Sequence, residues 1–351
     1  NPYGGLASFT EADAHLFFGR DAQIERLWSS FRKLHTEAAL EAATPRLLAV
    51  LGPSGSGKSS LARAGLLAEL QRRPLPGRAA ARYVTLTPGN HPLESLALAL
   101  ARLLTGEPSP AAKSREFEEL LSRVDAAGNY DGLRRLTDMF PDIAAQPLVI
   151  FIDQFEETYS LCKDQAVRTA FIATLLDAVA DPAGRASAVI TLRSDFLGET
   201  QDDSRLNLII AEQGLIVPAM TADELRRAIA EPARQAGRPL EDAVVDLLIE
   251  DTKDREGALP LLQFTLARIW DGLRAQKQPA DTFREIGGVG GALAGEAERI
   301  YSALGPQDQI IARRAFLAMV QLGEGTRDHR RPRRLAALRH RGLPLARRRA
   351  N

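Results

Sequence analysis

Short apolar runs alternate with stretches of helical periodicity between about residues 46 and 218, the pattern of parallel βαβ units. The predicted strands are Arg46–Leu51, Arg82–Leu86, Leu148–Ile152, Ala188–Leu192 and Gly214–Val217, with amphipathic helices at Ser59–Gln71, Leu93–Leu104, Phe117–Val124 and Ala166–Val179. The first, third and fourth runs are almost wholly apolar, as strands are when helices cover both faces of a sheet. After Pro218 helical periodicity takes over, in Thr221–Ala236, Leu240–Asp251, Leu259–Gln276 and Gly295–Leu304, and Thr221 with Glu224 reads as a capping box. The glycines Gly287, Gly288, Gly290 and Gly291 predict a flexible connection, and Pro306–Leu322 one more helix. The chain thus divides into an N-terminal segment (1–45), an α/β domain with a parallel sheet (46–218), a helical domain (219–325) and a tail (326–351).

With 45% hydrophobic and 6% aromatic residues in 351, there is material for two or three cores. No apolar run approaches the ~18 residues of a membrane span, so a soluble protein is expected. The lone Cys162 cannot form an intramolecular disulfide, and His15, His35, His91, His329 and His340 lack zinc-ligand spacing, which points to a reducing, cytoplasmic compartment. No secretory signal opens the chain, and Asn1 in place of Met suggests a piece of a longer protein. Charge is uneven: ten Arg and one acid fall between Thr326 and Asn351, leaving 35 basic and 44 acidic residues before them, a net of −9. An acidic body argues against nucleic acid as a partner. The Arg-rich tail, with little apolar periodicity, is expected to be a solvated or disordered end.

The strongest chemical signal is Gly52-Pro53-Ser54-Gly55-Ser56-Gly57-Lys58-Ser59, followed by Ser60, which fits GxxxxGK[ST] and lies between an apolar strand and a helical run. Phosphates carry several negative charges and need closely spaced N–H donors at a helix N-terminus, and glycines let the loop curl that tightly. Lys58 can then reach the β and γ phosphates and the Ser59 hydroxyl can join the shell of Mg²⁺, a cation that prefers hard oxygen ligands. The run Leu148–Asp153 reads as the partner Walker B strand, with Asp153 holding Mg²⁺ and Glu156 or Glu157 orienting or deprotonating the attacking water. A third apolar run ends in Arg193-Ser194-Asp195 at the same edge of the sheet, where Arg193 either senses the γ phosphate or pairs with an acid such as Asp195.

Two flanking motifs, Phe17-Phe18-Gly19-Arg20-Asp21 and Gly257-Ala258-Leu259-Pro260, complete the set. In this order the motifs resemble the STAND class of signal-transduction ATPases, a branch of the AAA+ P-loop fold, and in particular the novel STAND NTPase family, over roughly residues 1–325. The resemblance implies a parallel α/β sheet followed by a helical domain with a winged-helix start. It also implies that Gly19 and Arg20 lie near the adenine and ribose, Gly52 to Ser60 around the phosphates, and Pro260 against the base. By the same resemblance Asp153 is the Mg²⁺ carboxylate and Arg193 the sensor. The run DQFEE departs from the DGLDE form of related proteins, which leaves Glu156 and Glu157 both open.

The function so implied is a slow ATPase that converts ATP to ADP as a regulatory switch for signalling or defence, opening and self-associating with nucleotide state. Effector and sensor domains would lie outside these residues. The absence of LSGGQ and NKxD argues against an ABC transporter ATPase and a GTPase. A small-molecule kinase, a DNA-associated AAA+ ATPase and a nucleotide-binding module without turnover are the alternatives.

Overall fold

The computed structural model describes residues 1–36, 38–39, 44–253, 255, 257–321 and 329–330. Five parallel strands, β1 (Leu47–Gly52), β2 (Arg82–Leu86), β3 (Leu148–Ile152), β4 (Ala186–Arg193) and β5 (Gly214–Ile216), form a sheet in the order β2-β3-β4-β1-β5. The pleat alternates between two cores: Leu47, Ala49 and Leu51 with Leu148, Ile150 and Ile152 face one, and Leu48, Val50, Val149 and Phe151 face the other. The first core is covered by helices including Pro92–Thr105, Ala111–Leu121 and Gln165–Val179. The second is covered by Asp21–Lys33 and the helix that follows β1. That helix runs through Lys58–Ser60, Leu61–Leu67 and Ala68–Arg72, and its middle section is π-helical.

All five strands lie where the apolar runs predict them, within two residues. Helices Gly132–Asp138, Ser204–Gln213 and Pro279–Glu285 were not anticipated, being short or weakly periodic. The helical domain holds Ala222–Gln235, Asp242–Thr252 and Leu259–Arg274 around a third core, and the capping box of Thr221 and Glu224 is present. Tyr3 is buried in that core, edge-on to Trp270, with its hydroxyl donating to the Ile229 carbonyl at 2.5 Å.

The expected flexible connection is a correction. Gly287 caps, with φ +75°, a helix over Gly288–Ala303 that contains the other three glycines. A Cβ on Gly288 would stand 2.5 Å from Asp251 Oδ2, and one on Gly290 2.4 Å from Arg255 Nη1. These glycines serve close approach, and Asp251 accepts the Val289 N–H at 2.8 Å. The last helix, Pro306–Met319, leads into β6 (Val320–Gln321), paired antiparallel with β7 (His329–Arg330). The rest of the Arg-rich tail lies outside the described residues.

Candidate nucleotide-binding site

At the carboxyl edge of β1 the chain turns through Gly55 and Gly57, at φ +75° and +88°, a region that L side chains seldom occupy. A Cβ on Gly52 would sit 2.9 Å from Ser56 Oγ. The turn delivers Lys58 to the start of the helix, buried, with Nζ donating to the Pro53 carbonyl at 2.8 Å. Burial pulls the Lys58 ammonium below its ordinary range, against the opposing pull of Glu156. Among the described residues Nζ makes no other hydrogen bond, so the cation can exchange a carbonyl of its own loop for a phosphate.

Ser59 Oγ and Thr191 Oγ1 both donate to Asp153 Oδ1, each at 2.7 Å. Thr191 in turn accepts the Gln154 N–H at 2.9 Å, and Gln154 takes φ +54°, a left-handed conformation that costs a side chain energy. The serine hydroxyl and the carboxylate are hard oxygen donors brought to one point, a pair suited to Mg²⁺ that also keeps waters and phosphate oxygens. Among the described residues no group of three or more His, Cys, Asp or Glu could hold a metal. Thr191, 1% exposed, was missed in the sequence, although a hydroxyl inside the apolar run Ala188–Leu192 is the signal that could have found it.

The two glutamates are separated. Glu156 is buried, and its Oε2 accepts the Arg193 N–H at 3.3 Å. Glu157 Oε2 accepts the Gly89 N–H at 3.1 Å, from the loop after β2. Burial raises both carboxyls above their ordinary range. The Arg193 guanidinium is held by Asp195 through Nε at 3.1 Å and Nη2 at 2.5 Å and lies over Phe196, so the pair with Asp195 that the sequence left open is formed.

The P-loop opens into a cleft of about 200 Å³. Its walls come from Gly5–Phe9, Leu16–Phe18, Arg20, the P-loop, Met220 and the start of the helix Leu259–Arg274, including Pro260 and Gln263. Arg20 is buried and its Nη2 donates to the Ser56 carbonyl at 3.4 Å, so its guanidinium reaches the P-loop. Gly19 does not line the cleft. With φ +83°, it lets the chain pass the Glu224 carbonyl, 2.3 Å from where its Cβ would be. Ser60 Oγ accepts the Phe9 N–H at 3.1 Å and so fastens the N-terminal strap over the cleft. On the far side of the loop a Cβ on Gly55 would stand 2.9 Å from Gly257 Cα, and one on Gly257 3.2 Å from the Ser54 carbonyl. The strap, Thr191 and Gln263 are the parts that sequence reasoning did not identify.

A P-loop strand separated from the Walker B strand by β4, a phosphate loop and a trailing helical domain define a P-loop NTPase of the AAA+ and STAND type. The chain belongs to the Novel STAND NTPase 1 family, whose profile matches residues 2–349. In fold it is similar to the Aeropyrum pernix ORC2 protein in an ADP form (TM-score 0.54, 16% identity, 77% of this chain and 68% of that one). It is also similar to the same protein's ADPNP–ADP complexes (TM-score 0.53, 17% identity, 92% of this chain and 78% of that one). No curated protein matches the chain. These likenesses are of fold, and they lend no support to the expectation that excludes nucleic acid. Among the described residues no helix is long and apolar enough to cross a membrane.

Proposed function

We propose that this chain is an ATP-binding and slowly hydrolysing switch, in which one nucleotide is held between the α/β domain and the helical domain. The observation that carries the reading is the shared cleft: Lys58 and Ser59 lie at its phosphate end, and Pro260 of the second domain forms part of its wall. The P-loop from Gly52 to Ser60 cradles the phosphates, Lys58 leaves the Pro53 carbonyl for the β and γ oxygens, and Arg20 braces the loop through the Ser56 carbonyl from the wall of the cleft. Ser59 and Asp153 would hold Mg²⁺, which would supply charge neutralisation to the phosphates.

Each carboxylate accepts one backbone N–H, and Glu156 is the better placed because it stands near enough to Lys58 and Arg193 to feel both charges, whereas Glu157 is tied to Gly89 on the loop after β2. As the water oxygen bonds to the γ phosphorus, Glu156 takes one of its protons. The bond from that phosphorus to the β,γ-bridging oxygen breaks, and the electron pair leaves on ADP. Arg193 must give up Asp195 to read the γ phosphate, which makes its rearrangement the step that distinguishes ATP from ADP.

The switch closes with ADP and opens with ATP, with self-association in the open state and effector and sensor domains supplied outside these residues. Single-turnover hydrolysis, together with scattering mass under ATP and ADP, tests it. Binding without turnover reduces the protein to a nucleotide-binding module. DNA affinity that changes with the bound nucleotide replaces the switch by a DNA-associated ATPase.

A further inference from the structure

Gln263 lies one helical turn beyond Leu259, on the face of the helix Leu259–Arg274 that lines the cleft. The start of that helix adjoins the phosphate loop, with Leu259 Cδ1 3.7 Å from where a Cβ on Gly57 would stand. Gln263 stands one turn further along that helix on the wall of the same cleft. Its near neighbours on the wall, Leu259, Pro260 and Leu262, are apolar, and among the lining residues it is the only carboxamide. Its Oε1 is buried with no hydrogen-bond partner. Buried amide oxygens are normally satisfied, so an orphan acceptor beside an apolar cleft needs an explanation. A half-turn of the amide exchanges acceptor for donor at the same place.

An apolar pocket with a single amide suits a flat heteroaromatic base, because the walls supply contact area and the amide fixes orientation. The edge of adenine sets a donor beside an acceptor, the complement of a carboxamide. We propose that Gln263 is a specificity-determining residue that hydrogen-bonds to the polar edge of adenine and orients the ring against Pro260. This rests on the reading that the cleft takes an adenine nucleotide.

The test is calorimetric titration of the full chain with ADP and with four analogues that each lack one polar group of the base: 1-deaza-, 3-deaza- and 7-deaza-ADP and purine riboside diphosphate. Each is measured on the unaltered protein and on Gln263→Leu. Purine riboside diphosphate and one of the deaza analogues, the pair marking the engaged edge, should each bind the unaltered protein about tenfold more weakly than ADP, Gln263→Leu should bind ADP at least about tenfold more weakly, and those two analogues should lose less on the variant than ADP does. Gln263→Met, which keeps the length of the side chain, gives the same readout where Gln263→Leu disturbs folding. The same analogue losses on unaltered and altered protein, with ADP still bound, overturn the role of Gln263 alone. No ADP binding by the unaltered protein overturns it together with the nucleotide reading.

Discussion

The two ends of the central sheet each bury a basic residue, and they treat it in opposite ways. At the amino end Arg46 is fully buried, with Nε donating to the Ala186 carbonyl at 3.1 Å and Nη2 to the Asp181 carbonyl. His35 is buried beside it, its ring 4.9 Å from that of Phe31. Those donors close off strand and loop ends that would otherwise face the core unpaired. At the carboxyl end Lys58 has one carbonyl of its own loop, and the acids Asp153 and Glu156 stand on other elements. Fixed carbonyl partners make a buried cation part of the scaffold, whereas a single exchangeable partner leaves it available to a ligand.

The largest effect should come from Glu156→Gln, which is expected to lower turnover about 10²–10⁴-fold while ATP still binds. Glu157→Gln should change it little, and equal losses in both variants would remove the distinction between them. Because burial raises the Glu156 carboxyl and the base must be ionised, activity should fall with falling pH through a value above the ordinary carboxylate range. A pH–rate profile of single turnover checks this.

A sharper break of the comparison removes each cation in turn. Lys58→Ala should lose about 100-fold or more in nucleotide affinity with its unfolding midpoint nearly unchanged. Arg46→Ala should lose about 3 kcal/mol or more of stability, and nucleotide affinity only through unfolding. Calorimetry and denaturant titration on both variants decide it, and loss of fold in Lys58→Ala would erase the contrast.

His35 offers a smaller effect at the closed end. Burial, with Arg46 and Arg78 nearby, pushes its imidazole down to about 3. The native state then binds fewer protons than the unfolded chain below the ordinary histidine range, so its share of stability is lost as pH falls from about 6.5. About 2 kcal/mol should disappear between pH ~7 and ~5, and His35→Gln should remove that dependence. Smallest of all, Gly257→Ala, at φ +69° and close to the Ser54 carbonyl, should strain the domain contact by about 1 kcal/mol and speed ADP release several-fold. Stopped-flow release of a fluorescent ADP measures it, with Pro260→Ala as the comparison from inside the cleft.

The sheet and the phosphate loop were legible because their signals are local. Buried parallel strands must be apolar throughout, and the glycines that curl the loop stand at fixed spacing. Thr191, the strap Gly5–Phe9 and Gln263 were not, because each acts through a partner brought near only by the fold: Asp153 for the first, Ser60 for the second, the cleft for the third. The glycines after Ile286 misled for the same reason, since small size for packing and freedom for motion look alike in one dimension. Glu156 and Glu157 are held by different backbone amides, those of Arg193 and Gly89, a difference of surroundings that no spacing could disclose.

Gly55 and Gly257 press the phosphate loop and the second domain together backbone to backbone, with no side chain between them to yield. A ligand that fills the adjoining cleft and this contact therefore form one thermodynamic cycle. If the ligand strengthens docking of the second domain by some factor, docking must strengthen the ligand's hold by the same factor, and any force that prises the domains apart loosens the ligand in equal measure. Between the proposed ligand's cleft and the second domain's seat there then lies a single layer of main chain.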